Sequence, residues 1–496
     1  MKIQRAIISV YDKEGIIDLA KVLSLHQIEI IATSKTAELL RNANIPVIEV
    51  SEFTGAEEIL GGRVKTLHPK IAAGILSYRR DKDILPIDIV ICNLYPFEKS
   101  LKENLTHDSM IELIDIGGIT LLRAGAKNYE FVTVVPDKKF YPMIISEIQE
   151  KKEISLATRQ LLALKTLEIV AHYDAIIKEY FFNYFKSVNF EEYYTKSYIK
   201  SLPLRYGENP HQKAFYYQDP FTNFSMKQIQ GKELSYNNLL DLDAVISIVS
   251  DFSEITCAIV KHNTPCGVAS ANNPADAYLK ALASDPKSAF GGIVAFNCLV
   301  DETTAKEMTK IFLEVIAAPA FSNESLAILK SKKNLRVIQF HGELTKKQFR
   351  NCLGGILLQE RDELKADIDS WKVVSNRTPN QDELNELAFA WKVVKFVKSN
   401  AIVISKDKTT IGIGGGQTSR VDAVEIALKK AQGKLTGAVM ASDGFFPFRD
   451  SIDLAAKNGI KVIIEPGGSI NDNEVINAAN ENDICLVFTG IRHFRH

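Results

Sequence analysis

The 496-residue sequence predicts an α/β protein built from layered sheets and helices. Two observations carry that prediction. Short β-compatible apolar runs alternate with amphipathic helical stretches, and the alternation persists along the whole chain. In the first part, residues 6–10, 29–32, 87–93 and 131–135 read as strands, with helices such as 15–24 and 36–42 between them. Strand and helix in alternation imply a parallel sheet covered on both faces. A helical pattern then runs from about 156 to 182, with apolar residues three and four apart. Its expected role is packing, against the sheet or across a subunit boundary.

Residues 183–201 (NYFKSVNFEEYYTKSYIKS) break this rhythm with aromatic and charged residues and no clean period. The stretch is not Gly/Ser-rich, so a packed linker is expected. The domain boundary is placed near Lys200, giving domains 1–199 and 200–496. In the second domain 256–260, 292–296, 336–340, 401–404, 437–440 and 462–465 read as strands. Stretches 274–284, 383–397 and 421–431 read as helices. About 300 residues is long for one layered core, so two subdomains are expected. No low-complexity segment or short-period repeat is evident.

Composition narrows the partners. Lys plus Arg number 60 against 61 Asp plus Glu, a net charge of −1, so nothing attracts nucleic acid or a membrane surface in general. Anionic substrates would need local basic pockets. The six cysteines are scattered, without C-x-x-C pairs or histidines at zinc-site spacing, as in a reducing cytosol. The start, MKIQRAIISV, lacks an apolar signal core, and no apolar run approaches the roughly 20 residues of a membrane span. A cytoplasmic protein is expected.

The most informative stretch is AIVKHNTPCGVAS (258–270), where an apolar run ends at Lys261-His262-Asn263, followed by an expected Pro-Cys-Gly turn. A permanent cation beside a titratable imidazole at a strand end suits a base paired with an electrostatic stabiliser. Two surface polar residues at an element's end is the competing reading. IGIGGGQTSR (411–420) has glycines like those of a dinucleotide fingerprint, but the spacing is wrong and no acidic ribose partner is evident. A nicotinamide cofactor is therefore not expected.

Further motifs are LRYGENPHQ (204–212), Lys398-Ser399-Asn400, ASDGFFPFRD (441–450), PGGSI (466–470), GGRVKTLHPK (61–70), CNLYPF (92–97), IDIGG (114–118) and LLRAGAKN (121–128). Taken together, from ISVYDKEG (8–15) to FTGIRHFRH (488–496), the chain resembles the bifunctional purine-biosynthesis family. That family joins aminoimidazole carboxamide ribonucleotide transformylase to inosine monophosphate cyclohydrolase. The resemblance implies a methylglyoxal-synthase-like parallel-sheet N-terminal domain and a C-terminal domain of two cytidine-deaminase-like α/β halves. It also implies a homodimer, with 10-formyltetrahydrofolate as co-substrate and no metal.

For ring closure the resemblance implies Lys127 as proton acceptor, with Lys65, Tyr95 and Asp115 orienting the amide; Lys65 near Lys127 would help keep that base neutral. Asp12, Lys13, Thr33, Ser34, Lys35, Thr36, Arg63, Val64, Thr66, Cys92, Asn93 and Ile116 would line the nucleotide. For formyl transfer it implies His262 as base, Lys261 as stabiliser and Asn400 as aligner. Arg205, Tyr206, Phe290, Gly291 and Arg492 would meet the nucleotide; Arg420, Phe445, Asp450, Gly467 and Gly468 would meet the folate. An apolar shelf for a pteridine is the sharper reading of the phenylalanines around Pro447.

The chain also departs from its family. Ser34-Lys35 stands where two glycines are usual, Tyr11 replaces Ser, Ile119 replaces Pro and Gly125 replaces Ala. If 33–36 is a loop, the added β-carbons obstruct a phosphate, or Lys35 supplies charge in place of amide dipoles. Alternatives therefore stand beside the bifunctional enzyme: a transformylase with an impaired N-terminal domain, a zinc deaminase (which lacks its motif spacing), and a non-catalytic nucleotide sensor.

Overall fold

The computed structural model describes residues 3–80, 83–186 and 190–496. Residues 1–2 of the N-terminal stretch and 187–189 of the expected linker lie outside the described residues. The chain divides into two compact units, Met1–Ile199 and Lys200–His496.

The first unit is built on a five-stranded sheet, every pair parallel. Strands Arg5–Val10 and Ile89–Asn93 form its centre, with Glu29–Ala32 and Ile48–Glu49 on one side and Thr133–Val135 on the other. Alternation of side chains divides the core in two. Ala6, Ile8, Ile30 and Ile91 pack with Ile16, Leu19 and Ile144, whereas Ile7, Ile31, Val90 and Val134 pack with Ile75, Leu121 and Val170. The expected double covering is thus present. Helix Leu156–Phe185 is capped by Ser155 and buries Leu162, Thr166, Val170 and Tyr173, leaving Leu161, Leu164 and Leu167 exposed.

The second unit carries a twelve-stranded mixed sheet, and its element order repeats. In the first half an edge strand (Ser225–Gln230) and a capped helix (Tyr236–Ser250) precede the hairpin Thr256–Lys261 and Thr264–Ser270. Strands Ile293–Phe296, Val315–Ala318 and Arg336–His341 follow, alternating with helices. The second half runs likewise: edge strand Lys372–Val373, helix Gln381–Val394, hairpin Ile402–Lys406 and Thr409–Gly414, then Val439–Ser442, Val462–Glu465 and Cys485–Phe488. The two halves are not separate bodies. They join through Ala269 and Thr409 into one sheet, and a single apolar cluster runs from Leu242 to Val487.

Close packing explains the glycines of 411–420. A β-carbon on Gly412 or Gly414 would lie 2.1 or 2.0 Å from the carbonyl oxygens of Ala427 and Ala423 on the overlying helix. Gly267 stands in the same relation to Ala281 in the first half, at 2.0 Å. These glycines admit a helix to a sheet.

Register also fixes the edges of the sheet. Lys261 pairs with Thr264, Ile402 with both Gly414 and Ser442, and Ala269 with Thr409. The turn at His262 and the residues entering Ile402–Lys406 therefore share one edge. The second half's own turn, Asp407–Lys408, lies at the opposite edge, where the Lys408 carbonyl accepts from Ser270 N–H at 2.9 Å. Among the described residues no helix is long and apolar enough to cross a membrane.

Candidate active sites

In the first unit, the loops leaving the carboxyl ends of the parallel strands gather the candidate residues, the edge where such sheets present chemistry. Asp115 is buried just before helix Gly117–Lys127, and its Oδ1 accepts from Gly118 N–H at 2.6 Å. The Tyr173 hydroxyl accepts from Asp115 N–H at 2.9 Å. Burial raises the Asp115 carboxyl, opposed by the Gly118 and Tyr95 amides and by the Lys65 charge. The Tyr95 phenol is raised first by burial, then by Asp115. Thr66 is packed so tightly on Gly117 that a β-carbon there would lie 2.4 Å from its Oγ1. Lys65, Thr66, Tyr95 and Asp115 therefore form one cluster.

Glu58 was not singled out by sequence reasoning. Its carboxylate lies 3.9 Å from Lys65 Nζ and also accepts from the Ser34 hydroxyl. No sequence signal distinguished it from other acidic loop residues.

Several expectations are corrected here. Residues 34–36 are not a loop but the first turn of helix Ser34–Asn42, with Thr33 in the N-cap position but without a side-chain cap bond, and none has positive φ. Serine and lysine are thus unstrained at these positions, and Lys35 is exposed. Lys127 is the last residue of the Gly117–Lys127 helix, exposed, about 15 Å along the axis from Gly117. This chain does not bring it to Asp115, and Lys65 faces Glu58 rather than Lys127. Cys92 is buried in the apolar core, which raises its thiol.

The Asn93 amide is spent on the loop after the first strand: its Oδ1 accepts from Tyr11 and Asp12 N–H at 2.7 and 3.0 Å, and its Nδ2 donates to the Asp12 carbonyl at 2.8 Å. Asp12 itself pairs with Lys138 at 2.8 Å, which holds its carboxyl low. Lys13 Nζ donates to the Tyr11 carbonyl at 3.4 Å. Tyr11 packs edge-on against Tyr95, ring centroids 5.6 Å apart. Arg63 pairs with Glu112, Val64 bridges to Ile59, and Ile116 is exposed. At Gly125 a β-carbon would lie 3.1 Å from Val134, so the helix sits slightly closer to the sheet than alanine would allow.

In the second unit the turn is not Pro-Cys-Gly. It is His262–Asn263, both at positive φ (53° and 59°), joining the hairpin strands. Positive φ at both central residues is the two-residue hairpin turn matched to strand twist, and His and Asn tolerate it better than branched residues. Pro265-Cys266-Gly267 lies within the following strand, where the register shifts by a bulge. Lys261 Nζ donates to the Phe290 carbonyl at 2.8 Å, so Phe290 and Gly291 flank the Lys-His pair. Asp241, missed in the sequence because it sits in an ordinary helical pattern, accepts from Asn263 N–H at 2.6 Å. Arg205, its guanidinium 5.3 Å from the Tyr206 ring, lies near buried Arg336; burial foremost, with Arg205 adding to it, lowers the Arg336 guanidinium. Arg336 was likewise missed.

On the same edge, Asn400 is held from three sides. Its Nδ2 donates to the carbonyls of Gln417 and Thr418 at 3.0 and 3.2 Å, and its Oδ1 accepts from Arg420 at 2.7 Å. Arg420 is buried and pairs with fully buried Asp443 at 2.5 Å. Within the protein the Arg420 guanidinium orients Asn400. The C-terminal segment returns here. Arg495 N–H donates to Ser399 Oγ at 3.1 Å, His493 N–H to the Asp443 carbonyl at 2.9 Å, and Arg492 lies over the Phe494 ring at 4.7 Å.

Phe445 is part-exposed beside Gly444, and Asp450 is exposed at the start of helix Asp450–Lys457. Gly467 and Gly468 both have positive φ, 71° and 94°, and a β-carbon on Gly467 would lie 2.4 Å from the Phe488 ring. Glu465, at the preceding strand end, is fully buried with Oε1 unpartnered; burial pushes its carboxyl up to about 8. Among the described residues no three His, Cys, Asp or Glu side chains are grouped as a metal site requires.

A parallel-sheet unit with a Lys-Tyr-Asp cluster, followed by a duplicated unit with a Lys-His turn and an Asn-Arg-Asp network, defines a two-centre α/β enzyme. The MGS-like domain model matches residues 15–120, and the AICARFT/IMPCHase bienzyme model matches residues 125–430. Proteins named bifunctional purine biosynthesis protein PurH are similar to this chain from end to end. That of Persephonella marina is 50% identical over 99% of this chain and 100% of its own length. Those of Caldicellulosiruptor bescii and Clostridium perfringens are 49% and 48% identical, each over 99% of this chain and 100% of their own. The chain belongs to the AICARFT/IMPCHase bienzyme family.

Proposed function

We propose that this chain carries out two consecutive steps of purine synthesis. The second unit transfers the formyl group of 10-formyltetrahydrofolate to the 5-amino group of aminoimidazole carboxamide ribonucleotide. The amine nitrogen attacks the formyl carbon, the bond from that carbon to the folate nitrogen breaks, and the amine's proton passes by way of His262 to the departing folate nitrogen. Lys261 stabilises the negative charge that develops on the formyl oxygen. Asn400, its amide fixed by Arg420 and two carbonyls, aligns the reacting groups. Arg205 and Arg492 meet the nucleotide phosphate, and Phe445, Asp450, Gly467 and Gly468 border the folate.

In the first unit the carboxamide nitrogen attacks the formyl carbonyl, and water is lost as the six-membered ring of inosine monophosphate closes. Lys65, Tyr95 and Asp115 manage charge and proton there. The family position Lys127 does not join this cluster within one chain, so no step is assigned to it. The helical backbone at Ser34-Lys35 carries no strain from the loss of the two family glycines, which favours a working first unit. The enzyme is read as a cytosolic homodimer.

The observation that carries the reading is the shared sheet edge on which Lys261-His262 and the Asn400–Arg420–Asp443 network stand, in a chain of this family. The test is to follow each step separately with purified protein, formyl-folate and each nucleotide. Formation of both products supports the reading; absence of either from folded protein removes that half of it.

A further inference from the structure

We propose that Asp241 is a positioning residue for formyl transfer, holding the His262–Asn263 turn and with it the imidazole. The inference rests on the formyl-transfer reading above. Asp241 Oδ1 accepts from Asn263 N–H at 2.6 Å. With the Asn263 amide turned so that its nitrogen faces helix Tyr236–Ser250, that nitrogen donates to Asp241 at 3.2 Å and to the Leu240 carbonyl at 2.9 Å. The turn it grips has two successive non-glycine residues in the left-handed region, which persist only where the surroundings impose them. His262 itself is exposed, so the turn rather than side-chain packing must set the ring's place. The charges facing it are Asp241 and, beyond it, Glu314, with Lys261 on its own strand.

The duplication supplies an internal comparison. Glu386 is the sixth residue of helix Gln381–Val394, as Asp241 is of Tyr236–Ser250. Glu386 Oε2 accepts from Lys408 N–H at 2.8 Å, the second residue of the Asp407–Lys408 turn, again with both φ positive (54° and 51°). A helix carboxylate gripping the second turn amide is therefore a device of the repeat. At the far edge it holds a turn without an imidazole. At the near edge the same grip holds His262.

The experiment compares full-length Asp241→Asn, Glu386→Gln and His262→Ala, reading formyl-transfer kcat, nucleotide KM and Tm. Asp241→Asn is expected to lower kcat on the order of tenfold to a hundredfold, the scale of a misplaced catalytic group, with KM little changed. Glu386→Gln is expected to lower Tm comparably with kcat intact. Should Asp241→Asn fail to fold, Asp241→Glu keeps the charge, displaces the turn and is expected to show the same kcat-specific loss. Equal kcat in the Asp241 and Glu386 variants, or a loss confined to KM, overturns the inference while the formyl-transfer reading stands. Unimpaired transfer by His262→Ala removes that reading and the inference with it.

Discussion

The Arg420 guanidinium donates to Asn400 Oδ1 at 2.7 Å while paired at 2.5 Å with Asp443, so a buried ion pair sets the direction of an amide at the sheet edge. Removing one partner of such a pair strands the other charge in the interior, at a cost of about 3–5 kcal/mol. Arg420→Ala is expected to lose that much in chemical unfolding and to lose formyl transfer. Arg420→Lys, which keeps the charge but not the fork, is expected to recover most of the stability and little of the activity. Full activity in Arg420→Lys would show that Asn400 needs no such orientation.

Glu465 predicts a pH-dependent stability. Its folded carboxyl is raised to about 8, above the unfolded value, so folded protein holds a proton there that unfolded chain has released. Stability from this group is therefore complete below about pH 4.5 and declines toward pH 8, by roughly 1.4 kcal/mol per pH unit at the steepest. Glu465→Gln is expected to unfold at more nearly constant denaturant across that window, its advantage over wild type growing from pH 5 to pH 8. Parallel curves for the two proteins would contradict a buried, protonated Glu465.

At the start of helix Ser34–Asn42 the usual family glycines are not needed by the backbone. The double variant Ser34→Gly, Lys35→Gly is expected to lose up to about 1 kcal/mol per added glycine by helix propensity and to gain no ring-closing rate. A faster double variant would restore the view that these side chains obstruct the nucleotide.

Much of the fold was legible because strand alternation and helical spacing survive locally: 29–32 and 462–465 were read to the residue. Contacts made by register were not legible. The bulge that keeps Pro265-Cys266-Gly267 in a strand, and moves the turn to His262–Asn263, depends on pairing with Thr256–Lys261. The two like halves came from the family resemblance and not from the local pattern, because the matching turns read His-Asn and Asp-Lys, sharing only a backbone conformation. Asp241 and Arg336 looked like ordinary helix and strand residues; only the fold sets Asp241 against the His262–Asn263 turn and Arg336 near Arg205. Lys127 shows another limit of motif reading: it closes the helix that begins just after Asp115, and so stands a helix length from it within one chain.

Gly117 gives a test confined to the first unit. A methyl there would press on Thr66 Oγ1, 2.4 Å from its β-carbon. Gly117→Ala is expected to reduce ring closure by about a hundredfold, the scale of a displaced positioning group, and to leave formyl transfer intact. Adding Thr66→Ala, which removes the obstructing oxygen, is expected to return part of the loss if steric displacement is the cause. Unchanged ring closure in the single variant would place the reacting groups elsewhere.

The most direct test of the central assignment is a single-turnover assay of His262→Ala, following both steps in one preparation. The account predicts that formyl transfer falls by a hundredfold or more, about the scale of a lost acid–base group, while the preformed formylated nucleotide still closes to inosine monophosphate at the wild-type rate. Formyl transfer at the wild-type rate in that variant would contradict it.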